Sequence, residues 1–374
     1  MPAKKSGVQF AGINISGGEY GVDSSGTSHP SGSSNAYYYA PGGTEQFAHF
    51  FSKGANIFRI PAGWQYLVAD KLSGPLDETY MSQYDLWVQA CLATGAKCIL
   101  DVHNYGRWNG QIVGQSNGAV KDEDLMDLWA KLAKRYPQPN IIYEIINEPH
   151  DMNEPTWKNT VQKVVHAIRD AGSTSNWILL PGNAWTSAKN WETNSGDLLT
   201  VTDSDGSTDR LIIDVHRYMD ADGSGTTAEC VQNTIDDSLA PLAAVLRRAG
   251  RRALLTETGG GNTTSCLRDV CQALAYINQN ADVYLGWLGF SAGGFKASDV
   301  LDETPNADGS DVPLVQQCIL GQFPGSSYYS PVHDTILPRS GPELSVDPLP
   351  PHSFANLRVG VVCTSVLIFF LLVL

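Results

Sequence analysis

The sequence predicts an α/β protein built as a (β/α)8 TIM barrel. Eight short runs rich in β-branched and apolar residues recur along the chain, and most are separated by stretches with helical periodicity. Strands that alternate with helices indicate a parallel sheet with right-handed crossovers. Eight such units before residue 320 predict closure into a barrel. An open doubly wound sheet is the alternative, but no GxGxxG follows the first run.

The expected elements follow one another in regular order. The predicted strands are 8–15, 55–60, 97–102, 141–146, 177–180, 211–215, 252–256 and 283–288. The predicted helices are 45–53, 78–93, 123–135, 156–170, 231–249 and 267–280. Several of the helical patterns end at a glycine, the residue that most readily adopts the left-handed conformation at a helix C-terminus. These glycines are Gly54, Gly95, Gly172 and Gly250.

Beyond the barrel the composition changes. We expect residues 1–320 to form the barrel domain, 321–357 a disordered stalk or linker rich in Pro, Ser and Gly, and 358–374 a hydrophobic tail. An apolar tail slightly shorter than the roughly 17–25 residues of a bilayer span predicts either a membrane-anchoring helix or a lipid-anchor signal. Because no apolar signal segment is visible before the first strand, we expect either that a signal peptide is missing from this sequence or that export uses another route.

Charge and cysteine content limit the function classes. The net charge is −14, and an acidic chain lacks the basic face that nucleic-acid binding needs, so no nucleic-acid partner is expected. Six cysteines lie in the globular part and suggest three disulfides and an oxidising compartment, with 15 possible connectivities. Buried free thiols in a cytosolic protein are the alternative. No paired CxxC motif occurs, so no zinc is expected.

Polar or ionisable residues follow seven of the eight predicted strands. They are Asn14, Arg59, His103 with Asn104, Asn147 with Glu148, Asn183, His216 with Tyr218, and Glu257. The carboxyl ends of all the strands in a (β/α)8 barrel meet at one mouth, so these side chains should converge there. Each residue alone has a structural alternative, such as an ion pair or a half-buried core position. Their coincidence at seven strands favours a functional site.

Two carboxylates would give this site its chemistry. Glu148 follows the fourth strand and Glu257 ends the seventh, so they should face each other across the mouth. Paired carboxylates can divide glycoside hydrolysis between a proton donor and a nucleophile, provided that their environments differ. We expect Arg59 to keep Glu257 ionised, Glu148 to be the protonated acid, and Asn147 to bind a sugar hydroxyl.

The remaining polar groups and the loop tryptophans fit a sugar ligand. His103, His216 and Tyr218 are expected to bind hydroxyls and orient the carboxylates. Because the histidines lie on different strands without ligand spacing, neither a metal nor another cofactor is expected. Flat indole faces suit the apolar faces of sugar rings, although packing of loops onto the barrel is an equal alternative for each tryptophan. The tryptophans concerned are Trp64, Trp108, Trp185 and Trp191.

Five strings carry a resemblance to a known family. They are FRIP at 58–61, DVHNY at 101–105, INEP at 146–149, HRYMD at 216–220 and TETGG at 256–260. In this order they resemble glycoside hydrolase family 5, and most closely its secreted fungal endo-β-1,4-glucanases, over about residues 7–318. The resemblance implies a retaining mechanism with Glu148 as acid/base and Glu257 as nucleophile.

The resemblance also implies roles for other residues. It implies binding roles for Arg59, His103, Asn147, His216 and Tyr218, and it adds Asn183 and Trp185 as sugar-facing residues. It implies the disulfides Cys91–Cys98, Cys230–Cys266 and Cys271–Cys318. The chain departs from the family after the eighth strand, where the family places a tryptophan sugar platform. Here Phe290 holds that place and Trp287 should face the opposite side of the strand, so either Phe290 replaces the platform or the loop has shifted.

We therefore expect an endo-β-1,4-glucanase that cuts internal bonds of cellulose or related β-glucans. An endo-β-1,4-mannanase or a mixed-linkage glucanase on the same scaffold is the alternative among enzymes. A catalytically inactive, membrane-tethered glycan-binding protein is the alternative from another class. A β-glucan polysaccharide is the expected partner of a monomeric, extracellular protein, with the tail as its candidate attachment to the cell surface.

Overall fold

Eight parallel strands form a closed barrel, as predicted. The protein is described by a computed structural model that covers residues 7–29, 37–115, 117–294 and 299–330. Each barrel strand pairs with the next along the chain, and the last pairs with the first. The strands are β1 (Phe10–Ser16), β2 (Ile57–Ala62), β3 (Lys97–Val102), β4 (Ile141–Glu144), β5 (Trp177–Pro181), β6 (Leu211–His216), β7 (Ala253–Thr258) and β8 (Tyr284–Gly293).

Helices connect the strands on the outside of the barrel. Besides one turn of helix at Trp64–Leu67, they are α1 (Gly43–Ser52), α2 (Glu78–Thr94), α3 (Asp122–Arg135), α4 (Glu154–Asp170), α5 (Trp191–Ser195), α6 (Ala240–Ala249) and α7 (Thr264–Gln279). Side-chain caps fix the start of several helices: Asp77 accepts a hydrogen bond from Thr79 N, and Asn153 from Thr156 N. Gly95 and Gly250 have φ of 86° and 64°, so the predicted glycine stops of α2 and α6 are confirmed.

The apolar core has two layers. One set of buried side chains, drawn from β2 to β8, fills the barrel interior: Ile57, Ile99, Ile142, Leu179, Ile212, Leu254, Leu285 and Leu288. A much larger set packs between the strands and the surrounding helices. Successive residues of a strand point to opposite faces, and both faces of these strands are covered. This explains why each strand is a nearly continuous run of apolar residues in the sequence.

One predicted helix is shorter than its pattern. The sequence predicts a helix over 231–249, whereas the structure has a single π turn at Ile235–Leu239 followed by α6 from Ala240. Thr234 has a φ of 56°, a left-handed conformation that interrupts a helix. Residues 231–234 are consequently not helical, and they lead from the disulfide-bonded Cys230 into the turn.

Three disulfides join the pairs that the family resemblance implies. Cys91–Cys98 links α2 to β3, and the Cα atoms are 6.1 Å apart. The other two bridges end on α7: Cys230–Cys266 attaches the loop after β6, and Cys271–Cys318 attaches the final turn of the barrel region. Their Cα separations of 4.8 and 4.5 Å lie in the normal range for disulfides.

The packed part of the chain extends beyond the predicted boundary at residue 320. Phe323 is buried, Ser327 N donates to Lys53 O, and the Tyr328 hydroxyl donates to Asp311. These contacts assign 321–330 to the barrel surface rather than to the linker. The rest of the predicted linker and the predicted apolar tail at 358–374 lie outside the described residues. Within the described ranges, no helix has both the length and the apolar composition needed to span a membrane.

Candidate active site

The barrel mouth is organised around the buried guanidinium of Arg59 on β2. Its Nε and Nη2 donate to the two oxygens of Glu144 at 2.6 Å each, and Nη2 also lies 2.9 Å from Asp101 Oδ2. Its Nη1 donates to Glu257 Oε1 at 2.5 Å. Burial alone would lower the pKa of Arg59, but the three acids raise it well above the usual value. One permanent cation thus holds the carboxylates of three strands in place.

Two of these acids lie below the level of the predicted site. Burial raises the pKa of Asp101 to about 7 and that of Glu144 to about 6, in spite of the opposing charge of Arg59. Asp101 Oδ2 also pairs with His103 Nδ1 at 2.7 Å. These buried acids therefore orient Arg59 and His103 from beneath, and neither was singled out from the sequence.

Asn14 and Asn147 complete the shell around Arg59. Asn14 is fully buried, accepts from Arg59 Nη1 at 3.0 Å, and donates from Nδ2 to the carbonyls of Thr256 and Gly289. It therefore fixes Arg59 and ties β1 to its neighbours, which differs from the predicted contact with substrate. Asn147 Oδ1 accepts from Arg59 Nη2 at 2.7 Å, and its Nδ2 lies 3.2 Å from His103 Nε2.

Glu257 ends β7 in an environment that favours its charge. Besides Arg59, the hydroxyl of Tyr218 donates to Oε2 at 2.9 Å and His216 Nδ1 lies 3.5 Å from the same oxygen. Burial alone would raise the pKa of Glu257, but the charges of His216, Arg59 and His103 and the hydrogen bond from Tyr218 lower it below the usual value. Glu257 is therefore held as a carboxylate.

Glu148 occupies the opposite side of the mouth with fewer partners. Its φ of 42° is in the left-handed region, which is costly for a residue with a side chain and persists where surrounding contacts enforce it. Within the described residues it has one hydrogen bond, between Oε1 and His216 Nδ1 at 2.8 Å. Its side chain is 18% exposed, whereas that of Glu257 is 5% exposed. The two glutamates thus have different surroundings, as the predicted chemistry requires.

His216 lies between the two glutamates. Burial alone would lower the pKa of His216, but the charges of Glu257 and Glu148 raise it to about 9. Glu148, His216 and Glu257 each offer a ligand atom within 4.8 Å of the others, and so do Glu144, Asp214 and His216. Both groups include His216, and the absence of a bound metal stays a prediction.

A cleft of about 480 Å³ opens on the Glu148 side of the mouth. Its walls come from the loops after β1, β3, β4, β5 and β6, and its residues include Ser24, Tyr105, Glu148, Trp185, His216 and Tyr218. Trp185 is 41% exposed, which is unusual for a side chain of this size. Trp185 thus presents an exposed indole in the same cleft as Glu148, and its contact with sugar stays a prediction.

The other loop residues considered as sugar contacts are not among those that line this cleft. Trp64, Trp108 and Trp191 are all buried, so they pack loops onto the barrel, which is the alternative considered for them. Asn183 exchanges hydrogen bonds with the backbone of Met152, accepting from its N at 3.2 Å and donating to its O at 3.0 Å. Its amide thus joins the β5 loop to the β4 loop instead of pointing to the cleft.

Phe290 lies near the end of β8, beside His103. Its ring lies nearly parallel to that of His103, with centroids 6.4 Å apart and an interplanar angle of 22°. Trp287 is fully buried outside the barrel, where its Nε1 donates to Ile319 O. The expectation that Trp287 faces away from the mouth agrees with this placement. Phe290 is thus an aromatic residue beside His103, and its role as the sugar platform stays a prediction.

Several charged groups near the mouth were missed in the sequence. Asp214 lies two residues before His216 on β6, receives a hydrogen bond from Thr256, and has a pKa raised well above the usual value by burial and then by Glu144. The period-two rule for strands would have placed Asp101 beneath His103 and Asp214 beneath His216, since residues two apart share a face. Glu303 is buried on the chain after β8, where no local pattern marks it.

A (β/α)8 barrel with two facing glutamates, one held ionised, defines a glycoside hydrolase. The sequence pattern described as Cellulase (glycosyl hydrolase family 5) matches residues 9–292. The chain belongs to this family.

Two fungal endoglucanases and a fungal crystal structure are among the similar proteins. The endoglucanase EG-II of Hypocrea jecorina is 49% identical over 330 residues, which cover 84% of this chain and 78% of that protein. Endoglucanase 1 of Saitozyma flava is 43% identical over 325 residues, covering 86% of this chain and 92% of that protein. The crystal structure of Cel5A from Hypocrea jecorina superposes with a TM-score of 0.79 at 48% identity, covering 84% of this chain and 98% of that one.

Proposed function

We propose that this protein is an endo-β-1,4-glucanase that hydrolyses internal bonds of cellulose or a related β-glucan with retention of anomeric configuration. The observation that carries the proposal is the pair Glu148 and Glu257, whose carboxylates lie close together with different partners, Glu148 lining an open cleft. The similar fungal proteins are named endoglucanases, which supports a β-glucan as the substrate.

The separation of the two carboxylates supports retention. A carboxylate oxygen of Glu148 lies within 4.8 Å of one of Glu257. Retaining glycosidases place their two carboxyl groups about 5–5.5 Å apart, whereas inverting enzymes need about 6.5–9.5 Å to admit a water molecule. The short separation suits a nucleophile that reaches the anomeric carbon directly.

In the first step, Glu257 attacks the anomeric carbon while Glu148 donates its proton to the leaving oxygen. A bond forms between a Glu257 oxygen and the sugar, the glycosidic C–O bond breaks, and the shortened chain leaves as an alcohol. In the second step, Glu148 removes a proton from water, and the resulting oxygen displaces Glu257 from the sugar. Arg59 and Tyr218 stabilise the Glu257 carboxylate before attack and again as it leaves.

Neighbouring side chains would bind the sugar on the Glu257 side. Asn147 Nδ2 lies 3.2 Å from His103 Nε2, and its second N–H would donate to the 2-hydroxyl as positive charge develops on the ring. Phe290 offers an apolar ring face next to His103. Trp185 offers another on the Glu148 side, where the leaving-group sugars would lie. His216 links both glutamates and would keep them in register during proton transfer.

The alternatives have less support. A glycan-binding protein without catalysis would not need Glu257 held ionised by Arg59 and Tyr218. The mannanase and mixed-linkage alternatives share the same mechanism and differ only in the preferred sugar or linkage.

The location of the protein is proposed to be extracellular. Three disulfides suit an oxidising compartment. Attachment of the chain to a membrane through residues 358–374 and its monomeric state remain predictions.

Product analysis tests the proposed substrate. The protein is incubated with carboxymethyl-cellulose, mannan and mixed-linkage β-glucan side by side, and released reducing ends and viscosity are followed. We expect a rapid fall in the viscosity of carboxymethyl-cellulose, because internal bonds are cut. Release of reducing ends from mannan alone would overturn the assignment.

A further inference from the structure

We propose that His150 is a positioning residue for the Trp185 platform and thereby sets how tightly the cleft holds the sugar on the leaving-group side. This inference rests on the proposed function, since it concerns the same cleft. His150 itself touches neither glutamate in the described residues.

The first observation is a close parallel stack. The His150 and Trp185 rings have centroids 3.7 Å apart and an interplanar angle of 6°. His150 is 8% exposed, whereas Trp185 is 41% exposed and lines the cleft. His150 therefore covers one face of the indole and leaves the other available to a ligand. The edge of Tyr105 adds a contact at 6.0 Å and 68°, which limits sideways movement.

The second observation is that the backbone alone would not hold Trp185 here. Ala184, Trp185 and Thr186 have φ values of 55°, 63° and 54°, so three consecutive residues with side chains are left-handed. Such a run is unfavourable for L-residues and persists only where neighbouring contacts enforce it. One such contact is the hydrogen bond from Trp185 N to Pro149 O at 3.0 Å, directly before His150 in the chain. The hydrogen bond holds the backbone of Trp185, and the stack with His150 holds its side chain.

The third observation is that His150 is itself fixed at both ring nitrogens. Nδ1 lies 2.7 Å from Asp151 Oδ2, and Nε2 lies 3.1 Å from the carbonyl oxygen of Ser24. Both oxygens are acceptors, and together the two contacts restrain the ring on opposite sides. Because Ser24 lines the same cleft, His150 connects the platform to a second wall.

The stack between His150 and Trp185 should affect the binding of one sugar, the leaving-group sugar, and not the chemical step. Glu148 protonates the leaving oxygen, so the leaving-group sugar lies on its side of the mouth, where Trp185 is exposed. In the second step a sugar that binds this position can replace water as the acceptor of the glycosyl group. The ratio of transfer to hydrolysis therefore reports the affinity of this position, whereas hydrolysis without added acceptor does not.

The test measures that ratio in His150→Ala and His150→Phe. An aryl β-cellobioside is the donor, cellobiose is added as acceptor, and His166→Ala, at an exposed histidine of α4, is the control. For His150→Ala we expect the cellobiose concentration for half-maximal transfer to rise about threefold to tenfold, the range that corresponds to loss of one aromatic pair. His150→Phe keeps the stack but loses both hydrogen bonds, and should give an intermediate value.

The rate of hydrolysis measured without acceptor distinguishes a positioning role of His150 from a general loss of activity. It should change by less than about twofold in both His150 variants, because the glutamates are untouched. An unchanged half-maximal concentration in His150→Ala would overturn the inference, as would an equal loss of transfer and of hydrolysis. Failure of the unmutated protein to cleave the donor would instead refute the proposed function.

Discussion

Replacing Tyr218 with phenylalanine should move the acidic limb of the activity profile to higher pH. The Tyr218 hydroxyl donates to Glu257 Oε2 at 2.9 Å and both groups are buried. The substitution removes this donor and leaves the ring that packs against Gly225. Glu257 must be ionised to attack, so activity falls as the pH drops through its pKa. Loss of a donor that stabilises the carboxylate raises that pKa, and the loss of activity begins at a higher pH.

The size of the shift follows from the strength of the bond. A hydrogen bond to a charged group contributes about 1.5–3 kcal/mol, and about 1.4 kcal/mol corresponds to one pKa unit. We therefore expect the acidic limb to rise by about one to two pH units. Arg59 and His216 remain beside Glu257, which favours the lower end of this range.

The assay is the pH dependence of kcat/KM on an aryl β-cellobioside, which reports ionisations of the free enzyme. Tyr284→Phe is the matched control, because Tyr284 is equally buried and donates to Leu239 O far from the mouth. That variant should lose stability without a change in the profile. An unchanged acidic limb in Tyr218→Phe would refute the role given to this hydroxyl, and so would an equal shift in Tyr284→Phe.

Three further predictions concern the acid, a disulfide and a buried carboxyl group. Glu148→Gln should lose activity on polysaccharide but cleave an aryl glycoside whose leaving group needs no proton, with the glycosyl-enzyme accumulating in stopped-flow traces; equal loss on both substrates would contradict its role as acid. Replacing Cys230 and Cys266 together with alanine should reduce the free energy of unfolding by about 3–4 kcal/mol from loop entropy, measured in guanidinium chloride; a loss under about 1 kcal/mol would contradict this. Glu303 is buried with both oxygens unpaired within the described residues, and burial raises its pKa well above the usual value. The contribution of protonated Glu303 to stability is therefore full below the unfolded pKa and is lost as the pH rises through the folded pKa, so Glu303→Gln should gain stability relative to the unmutated protein as the pH rises above the unfolded pKa; a difference independent of pH would contradict this.

Much of the fold was predictable because the barrel repeats one local pattern. Each strand is covered on both faces, so its apolar run stands out, and a glycine ends several of the helices. The failure at 231–249 has a local cause: the apolar periodicity continues into a segment that Thr234 interrupts with a φ of 56°. Nothing in the local sequence predicts that Thr234 adopts a left-handed conformation. The Cys230–Cys266 disulfide, whose cysteines are 36 positions apart in the chain, restrains this segment.

The candidate site was predictable where strand ends carry polar residues. Glu148, Glu257 and Arg59 converge as expected because the register of a closed barrel brings strand ends together. Contacts through space were less predictable. Asn14 and Asn183 follow strands as a ligand-binding residue would, yet their amides bind Arg59 and backbone groups. Only the folded structure shows which partner a polar side chain has.

The loop residues were the least predictable part. The local sequence around a loop tryptophan does not show whether its side chain is buried or exposed. Trp64 is buried, whereas Trp185 is exposed. His150 follows the Asn-Glu-Pro segment, but its stack depends on three left-handed residues more than thirty positions later. Such pairs are set by loop geometry, which the periodicity of strands and helices does not encode.

The most direct test of the proposed mechanism is to trap the covalent intermediate. A 2-deoxy-2-fluoro-β-cellobioside with a good leaving group slows both steps, because fluorine destabilises the developing positive charge, while the leaving group keeps the first step fast. We predict that the mass of the intact protein rises by one fluorinated disaccharide and that peptide mapping places it on Glu257. A label on another residue, or cleavage that inverts the anomeric carbon without any covalent species, would contradict the account.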